Sequence, residues 1–449
     1  MLPKIIDLFS GCGGLALGFQ KAGFEIAAGI DILPEAIKAI SYNLHWRTGQ
    51  KEVYICADIT AMDPKEFINV LGDEGCIVIG GPPCQAYSLA GRGKLRSLGD
   101  NRIYTKDQRG LLYKDFIRFA IDLNARAVIM ENVPEAINYG GENIPQHICE
   151  VLESKGYFSF WTILNAADFG VPQIRERVFV IAVKQNENIT IDLPEPSHRN
   201  SDGSMTVYQK RFIGLKRFKN FKQPKSNKNA PDLWNTVGDA FSDLPVLFEN
   251  ENASYRSLSL NVEIPYRCGW QNDYQRMMRT WFGTATQSVS ANAFRKCTRD
   301  FPIFARMKQG DNYIKAVEIA EKLFKDTADL YALKEGTVEY DNLRRKIVPP
   351  YEIVNFDSRW KKLDDNKPSH TVTAHLSRDT YSHIHPWEPR GISVREAARL
   401  QSFPDDFFFN CSMGDAFNLI GNAVPPLLAY SVALSVRDAF MEEFAYESA

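Results

Sequence analysis

The chain reads as an α/β protein: a doubly wound, mostly parallel Rossmann-like sheet with a second, smaller, irregular domain. Three observations point there. Short apolar runs alternate with helix-like runs from the N-terminus to about residue 185, which is the pattern of strands joined by crossover helices. A glycine turn, Gly11-Cys12-Gly13-Gly14, follows the first of those runs and opens a helix. Near Asn186 the character changes, and Asn, Lys, Pro and aromatic residues follow with weak periodicity.

The elements follow in order. Residues 4–9 read as a strand, 15–22 as a helix ended by Gly23, and 24–30 as a second strand closed by Asp31. Pro34 opens a helix through Tyr42, as proline does in a first helical turn. Apolar runs at 53–57, 76–80, 127–130 and 178–183 are too short for helices and read as further strands. Residues 313–333 form a helix, because Val317, Ala320, Phe324, Ala328 and Tyr331 recur at three- and four-residue steps. Ser393 caps a helix through Arg399, with Glu396 at capping-box spacing. A last helix covers 426–443. The expected domains are 1–189, 190–370, and a return segment, 371–449, that completes the first.

Composition excludes several classes. A length of 449 residues exceeds one ordinary core, and 44% hydrophobic with 24% charged residues describes a globular protein. No run approaches about 18 consecutive apolar residues, so no membrane span is expected. The N-terminus runs straight into a strand without a cleavable signal, which points to a reducing cytosol. Eight scattered cysteines include no Cys-x-x-Cys pair, so neither a zinc ribbon nor a disulfide scaffold is expected. His383 and His385 lack partners at ligand spacing and read as surface or sheet residues; no metal is expected. A net charge of −2 conceals a run, 204–231, with eight basic residues and no acidic one. Local clustering of this kind matters more for phosphate binding than the total.

The chemistry centres on Gly80-Gly81-Pro82-Pro83-Cys84-Gln85-Ala86-Tyr87-Ser88. Two prolines narrow the conformations of the turn and aim the thiol that follows, a candidate nucleophile; a buried structural cysteine is the alternative. Glycines at 11 and 13 let a ligand approach the backbone, and the carboxylates Asp31 and Asp58 close strands two and three. Together they favour an adenosine pocket, while the absence of Gly-Lys-Ser or Gly-Lys-Thr disfavours a phosphate loop. Glu131 ends an apolar strand in Glu131-Asn132-Val133. In Gln173-Ile174-Arg175-Glu176-Arg177 two arginines alternate, either as surface ion pairs or as a clamp on a carbonyl oxygen.

Those motifs, in that order and followed by Arg395-Glu396-Ala397-Ala398-Arg399-Leu400-Gln401-Ser402-Phe403-Pro404 and Gly421-Asn422-Ala423-Val424-Pro425-Pro426, resemble the DNA cytosine-5 methyltransferase family of bacterial modification type. The resemblance covers about residues 1–185 and 370–430. It implies that Cys84 attacks cytosine carbon 6, Glu131 holds or protonates N3, and Arg177 binds the ring carbonyl with Arg175 in support. It implies S-adenosylmethionine as donor, leaving S-adenosylhomocysteine, at Phe9, Gly11, Gly13, Asp31, Ile32, Asp58, Ile59, Pro82, Leu112, Asn422 and Val424. Ile32 stands where the family often stacks an aromatic residue on adenine. The target cytosine would be flipped out of the duplex. DNA contacts are expected from a mobile loop carrying Gln85, Ser88, Arg92, Lys94 and Arg96, and from Lys216, Arg217, Lys219, Arg276 and Arg279 in the domain that reads sequence. A cytoplasmic monomer that modifies host DNA, in restriction-modification or phage defence, is the expected setting. An RNA (tRNA) cytosine methylase is the alternative.

Overall fold

The computed structural model describes residues 2–45, 49, 53–83, 111–187, 189–201, 210–248, 259–296, 299–351 and 359–447, with side chains to residue 442. The chain divides into two compact units, 1–234 with 423–449, and 235–422.

The first unit is built on a seven-stranded sheet. Its strands are β1 (Lys4–Leu8), β2 (Ile26–Asp31), β3 (Tyr54–Cys56), β4 (Cys76–Gly80), β5 (Ala127–Asn132), β6 (Tyr157–Asn165) and β7 (Glu176–Lys184), in the order β3-β2-β1-β4-β5-β7-β6. β1 to β5 are parallel, because their crossovers run through helices such as α1 (Gly14–Lys21) and α2 (Pro34–Leu44). Apolar residues cover both faces of the central strands; Ile5, Ile6, Leu8, Ile77, Val78, Ile79, Val128 and Ile129 are all 0% exposed, as a sheet packed on both sides requires. Two features differ from the sequence reading. β7 runs antiparallel between β5 and β6, and β6 itself was not anticipated.

β6 has its own cover. Phe218 and Phe221 pack on Trp161, whose N–H donates to Asn220 O at 2.8 Å, while Lys222 N–H donates to Trp161 O at 2.9 Å. Phe212 joins the same core. These aromatics attach the basic run to the first unit, so the first boundary falls after Trp234 rather than near residue 189. The second falls before Ala423 rather than at 371, because the capped helix Val394–Leu400 buries its arginines among second-unit residues.

One apolar stretch, Met413–Glu442, meets the length and hydropathy of a membrane span, and 72% of its most apolar window is buried inside the protein. It comprises two helices, Met413–Asn422 and Pro426–Glu447, so this apolarity belongs to protein cores. The second of these packs along α1, where Gly18 approaches Tyr430 so closely that a Cβ would lie 2.4 Å from its backbone nitrogen.

The second unit has its own aromatic core around Phe304, Tyr313 and Trp360, packed by the helix Tyr313–Leu330. His383 and His385 are 1% and 3% exposed, which corrects their reading as surface or sheet residues. Both pack on rings, His383 on His370 and His385 on Phe241. His385 also lies with Glu388 and Glu396 in a group of ligand-type atoms within 4.8 Å of one another. Arg390 bonds both carboxylates at 2.7–3.1 Å, so one guanidinium is shared between them and offsets part of their charge.

Candidate active site

The carboxyl edge of the sheet brings the sequence motifs of the first unit together. Phe9 leaves β1 with φ +57°, a left-handed value that costs a non-glycine residue energy and is found where the backbone is held for a purpose. Gly11 follows at φ +53° and donates its N–H to Asp31 Oδ2 at 2.8 Å; Leu33 N–H donates to Asp31 Oδ1 at 2.9 Å. Burial raises the Asp31 carboxyl above its ordinary range, against the lowering by those amide bonds. Asp58 is exposed and accepts from Thr60 N and Oγ1 through Oδ1 alone, which lowers its pKa and leaves Oδ2 facing outward.

The turn after Asp58 is clasped from outside the motifs. Arg118 donates to Ile59 O and Met62 O, each at 2.9 Å, and stands on Asp115. Sequence reasoning missed it; the one signal is a charge set among Phe116, Ile117, Phe119 and Ala120. Ile59 is 5% exposed, and its carbonyl is held by Arg118. Ile32 is 62% exposed beside Leu33 and offers a branched aliphatic contact where the family often has an aromatic ring. Leu112 and Phe9 are half-buried, and Pro82 is buried. Val424 carries the return segment onto the glycine turn: a Cβ on Gly14 would sit 2.2 Å from Val424 O. Asn422 ends its helix within the second unit, exposed, with its amide on Asn418.

The turn after β4 interlocks with the end of β5. Asn132 Nδ2 donates to Pro82 O at 3.3 Å, and a Cβ on Gly81 would lie 3.0 Å from Glu131 Oε2. The chain that leads to position 84 therefore passes directly over the Glu131 carboxyl. Arg177 Nε donates to Glu131 Oε1 at 2.8 Å and its Nη1 to Glu176 O at 2.7 Å. Glu131 is 7% exposed; burial raises its carboxyl above the ordinary range even with Arg177 and Arg175 opposing. A buried carboxyl whose pKa is raised in this way is suited to donating or sharing a hydrogen bond with a ring nitrogen. Arg175 is wholly buried and turns elsewhere: its N–H donates to Asn165 Oδ1 at 3.2 Å and its Nη2 to Ala423 O at 2.9 Å. It braces the return segment and leaves Arg177 as the guanidinium beside Glu131.

The expected DNA contacts divide. Cys84, Gln85, Ser88, Arg92, Lys94 and Arg96 lie outside the described residues. Lys216 and Arg217 are exposed on the first unit. Lys219 pairs with Glu153 at 2.8 Å, and Lys222 and Lys225 pair with Asp192 and Glu195, so acidic neighbours offset part of the basic run. Arg276 is exposed and paired with Asp273. Arg279 is corrected: it is 5% exposed and lies against Asp243, Tyr266 and the Cys268 carbonyl, inside the second unit.

A doubly wound sheet with a glycine turn and strand-end carboxylates defines a nucleoside-cofactor enzyme. The profile of the C-5 cytosine-specific DNA methylases matches residues 3–437, and the chain belongs to that family of DNA cytosine-5 methyltransferases. Membership implies S-adenosylmethionine as methyl donor and DNA as substrate. The chain is 49% identical over 441 residues to M.OihORF3336P of Oceanobacillus iheyensis, covering 97% of this chain and 95% of that one. It is 30% identical to the type II methyltransferase M.AgeI of Thalassovita gelatinovora, covering 97% and 99%. A solved structure assigned as a DNA modification methyltransferase of an Escherichia coli prophage superposes with a TM-score of 0.65 at 22% identity, over 98% of this chain and all of that one, and supports the fold.

Proposed function

We propose that the chain methylates carbon 5 of a flipped-out cytosine within a specific duplex sequence, by covalent catalysis through Cys84. The observation that carries this is the Gly81–Glu131–Arg177 juxtaposition, which sets a buried carboxyl and a guanidinium beside the segment leading to the thiol. Carbon 5 of cytosine is a poor nucleophile. Addition of the Cys84 thiolate to carbon 6 pushes an electron pair into the ring and makes carbon 5 enamine-like. Glu131 meets that charge at N3 and Arg177 at the ring carbonyl oxygen. S-adenosylmethionine, when bound, supplies an electrophilic methyl group. Solvent water, acting as base, then takes the carbon 5 proton; the C–H electron pair re-forms the C5–C6 double bond, the C6–S bond breaks to release the Cys84 thiolate, and N3 gives up the hydrogen bond or proton it had from Glu131.

Asp31, with its oxygens fixed by Gly11 and Leu33, suits ribose hydroxyls, and the outward Asp58 Oδ2 suits the adenine amino group. Gly13, Ile32, Leu112 and Val424 complete the proposed donor site within the first unit. The second unit is the proposed sequence reader. The type II names of relatives covered over nearly their whole length support modification of host DNA in a restriction-modification setting. Cys84→Ala tests the mechanism. It should abolish methyl transfer to duplex DNA while S-adenosylmethionine still binds by calorimetry; undiminished turnover removes Cys84 from the chemistry.

A further inference from the structure

The second unit contains a charge network of unusual depth. Arg399 is wholly buried and forks between Asp243 and Asp405. Arg279 reaches the same Asp243 at 3.4 Å, and Tyr266 Oη donates to Asp405 Oδ2 at 2.6 Å. Interior ion pairs return little net stability for their desolvation, and fixing a unique geometry is a better-attested use. The geometry fixed here is that of residues 266–272, which leave the short ribbon Ile264–Pro265/Ser288–Val289 and enter the helix Asp273–Thr280.

That loop is anchored along its length. Arg267 N–H donates to Asp243 O at 2.9 Å, and Arg279 Nη1 donates to Cys268 O at 3.1 Å. Gln271 N–H donates to Gln275 Oε1 at 2.7 Å, and Asn272 caps the helix. The Arg279 guanidinium lies 3.7 Å from the Tyr266 ring centroid and 5.3 Å from that of Trp270. The loop so held displays the opposite of a core. Trp270 is 44% exposed, and Arg267, Gly269 and Gln271 are exposed. Among the described residues the Arg267 guanidinium makes no hydrogen bond or ion pair, whereas its neighbour Arg276 is paired with Asp273 at 2.9 Å.

We propose that residues 266–272 form a rigid loop that reads base edges of duplex DNA, with Arg267 determining specificity, Trp270 packing against the nucleic acid, and Arg279 acting beneath them as a positioning residue. The proposal rests on the methyltransferase reading above and names where its sequence preference resides. A planar guanidinium recognises a guanine edge by two parallel hydrogen bonds, which demands a fixed backbone. A phosphate contact would need only a nearby charge on a flexible stem. Support from residues that do not themselves touch the ligand is how such precision is obtained.

The test begins with mapping methylated cytosines in DNA from cells expressing the intact chain, which defines the cognate site. Arg267→Ala, Arg267→Lys, Trp270→Ala and Arg279→Met are then assayed on that duplex and on duplexes changed at single base pairs, with thermal melting as the control for folding. Arg267→Ala should lower kcat/KM on the cognate duplex roughly 10- to 100-fold and make one base pair of the site degenerate. Arg267→Lys should retain affinity for non-cognate DNA but show the same degeneracy. Trp270→Ala should weaken the cognate duplex more than non-cognate DNA. Arg279→Met should relax the same base pair as Arg267→Ala without contacting DNA, a change that a purely structural role would not produce. An unchanged site spectrum in Arg267→Ala, or an equal loss on every duplex, overturns the proposal. A wild-type chain that deposits no 5-methylcytosine would instead overturn the proposed function.

Discussion

Removal of Arg177 should destabilise the protein in a pH-dependent way, through Glu131. The carboxyl is 7% exposed, and the Arg177 guanidinium at 2.8 Å is its direct charged partner. Deleting one member of a buried pair costs about 3–5 kcal/mol, because the remaining charge is left uncompensated. Glu131 can escape that cost by taking a proton. Its native pKa is already raised by burial, and loss of Arg177 removes the largest opposing influence and raises it further. The native state of the variant then binds more protons than the unfolded chain at intermediate pH. Stability is retained at low pH, below the unfolded carboxyl's pKa, and falls as pH rises through the native one. The slope is at most about 1.4 kcal/mol per pH unit, so a penalty of 3–5 kcal/mol spreads over roughly two to four units. The measurement is urea unfolding of wild type, Arg177→Met and Glu131→Gln/Arg177→Met between pH 5 and pH 8.5. The single variant should approach wild-type stability at the acid end and lose it toward the alkaline end, and the double variant should lose the pH dependence. A penalty that is constant across the range would refute the argument that the Glu131 charge is its source.

Other outcomes follow from the same geometry. Gly14→Ala places a methyl 2.2 Å from the Val424 carbonyl oxygen and should cost about 1–3 kcal/mol in denaturant unfolding, as overpacking does. Arg118→Ala frees the turn that follows Asp58; it should raise the Kd for S-adenosylmethionine by calorimetry, on the order of 10-fold for two lost charge-assisted bonds, with little change in DNA affinity. Arg399→Met leaves Asp243 and Asp405 buried without their main partner and should cost about 3–5 kcal/mol. Lys216→Gln/Arg217→Gln should flatten the salt dependence of DNA binding, whereas Lys219→Gln, whose charge already faces Glu153, should change it less.

Much of the first unit was legible because its signals are local. Apolar runs too short for helices and ended by Asp31, Asp58 or Glu131 become strand ends at one edge of a sheet, and Pro34 starts α2 where the residue type predicts. Ser393 and Glu396 form the reciprocal cap their spacing foretold. What could not be read was non-local. A strand's alternation carries no record of its neighbour's direction, so β7 gave no sign of running antiparallel beside β5. Phe212, Phe218 and Phe221 look like aromatics scattered through a basic surface run, and only Trp161 on β6 makes them core. Nothing local in the sequence marks Arg175, Arg279, Arg395 and Arg399 as interior, yet each is buried because carboxylates or carbonyls elsewhere in the chain meet it. The site was legible as motifs, while the clasp by Arg118 and the interlock of Gly81 with Glu131 required the fold.

Covalent capture tests the proposed chemistry most directly. A duplex carrying 5-fluorocytosine at the mapped site cannot release a proton from carbon 5, so an enzyme linked to carbon 6 remains attached once the methyl group has arrived. Incubation with S-adenosylmethionine should give a denaturation-resistant adduct whose protein attachment maps to Cys84, and none with Cys84→Ala. A wild-type chain that methylates the ordinary cytosine at that site yet forms no adduct with the fluorinated one would contradict covalent catalysis.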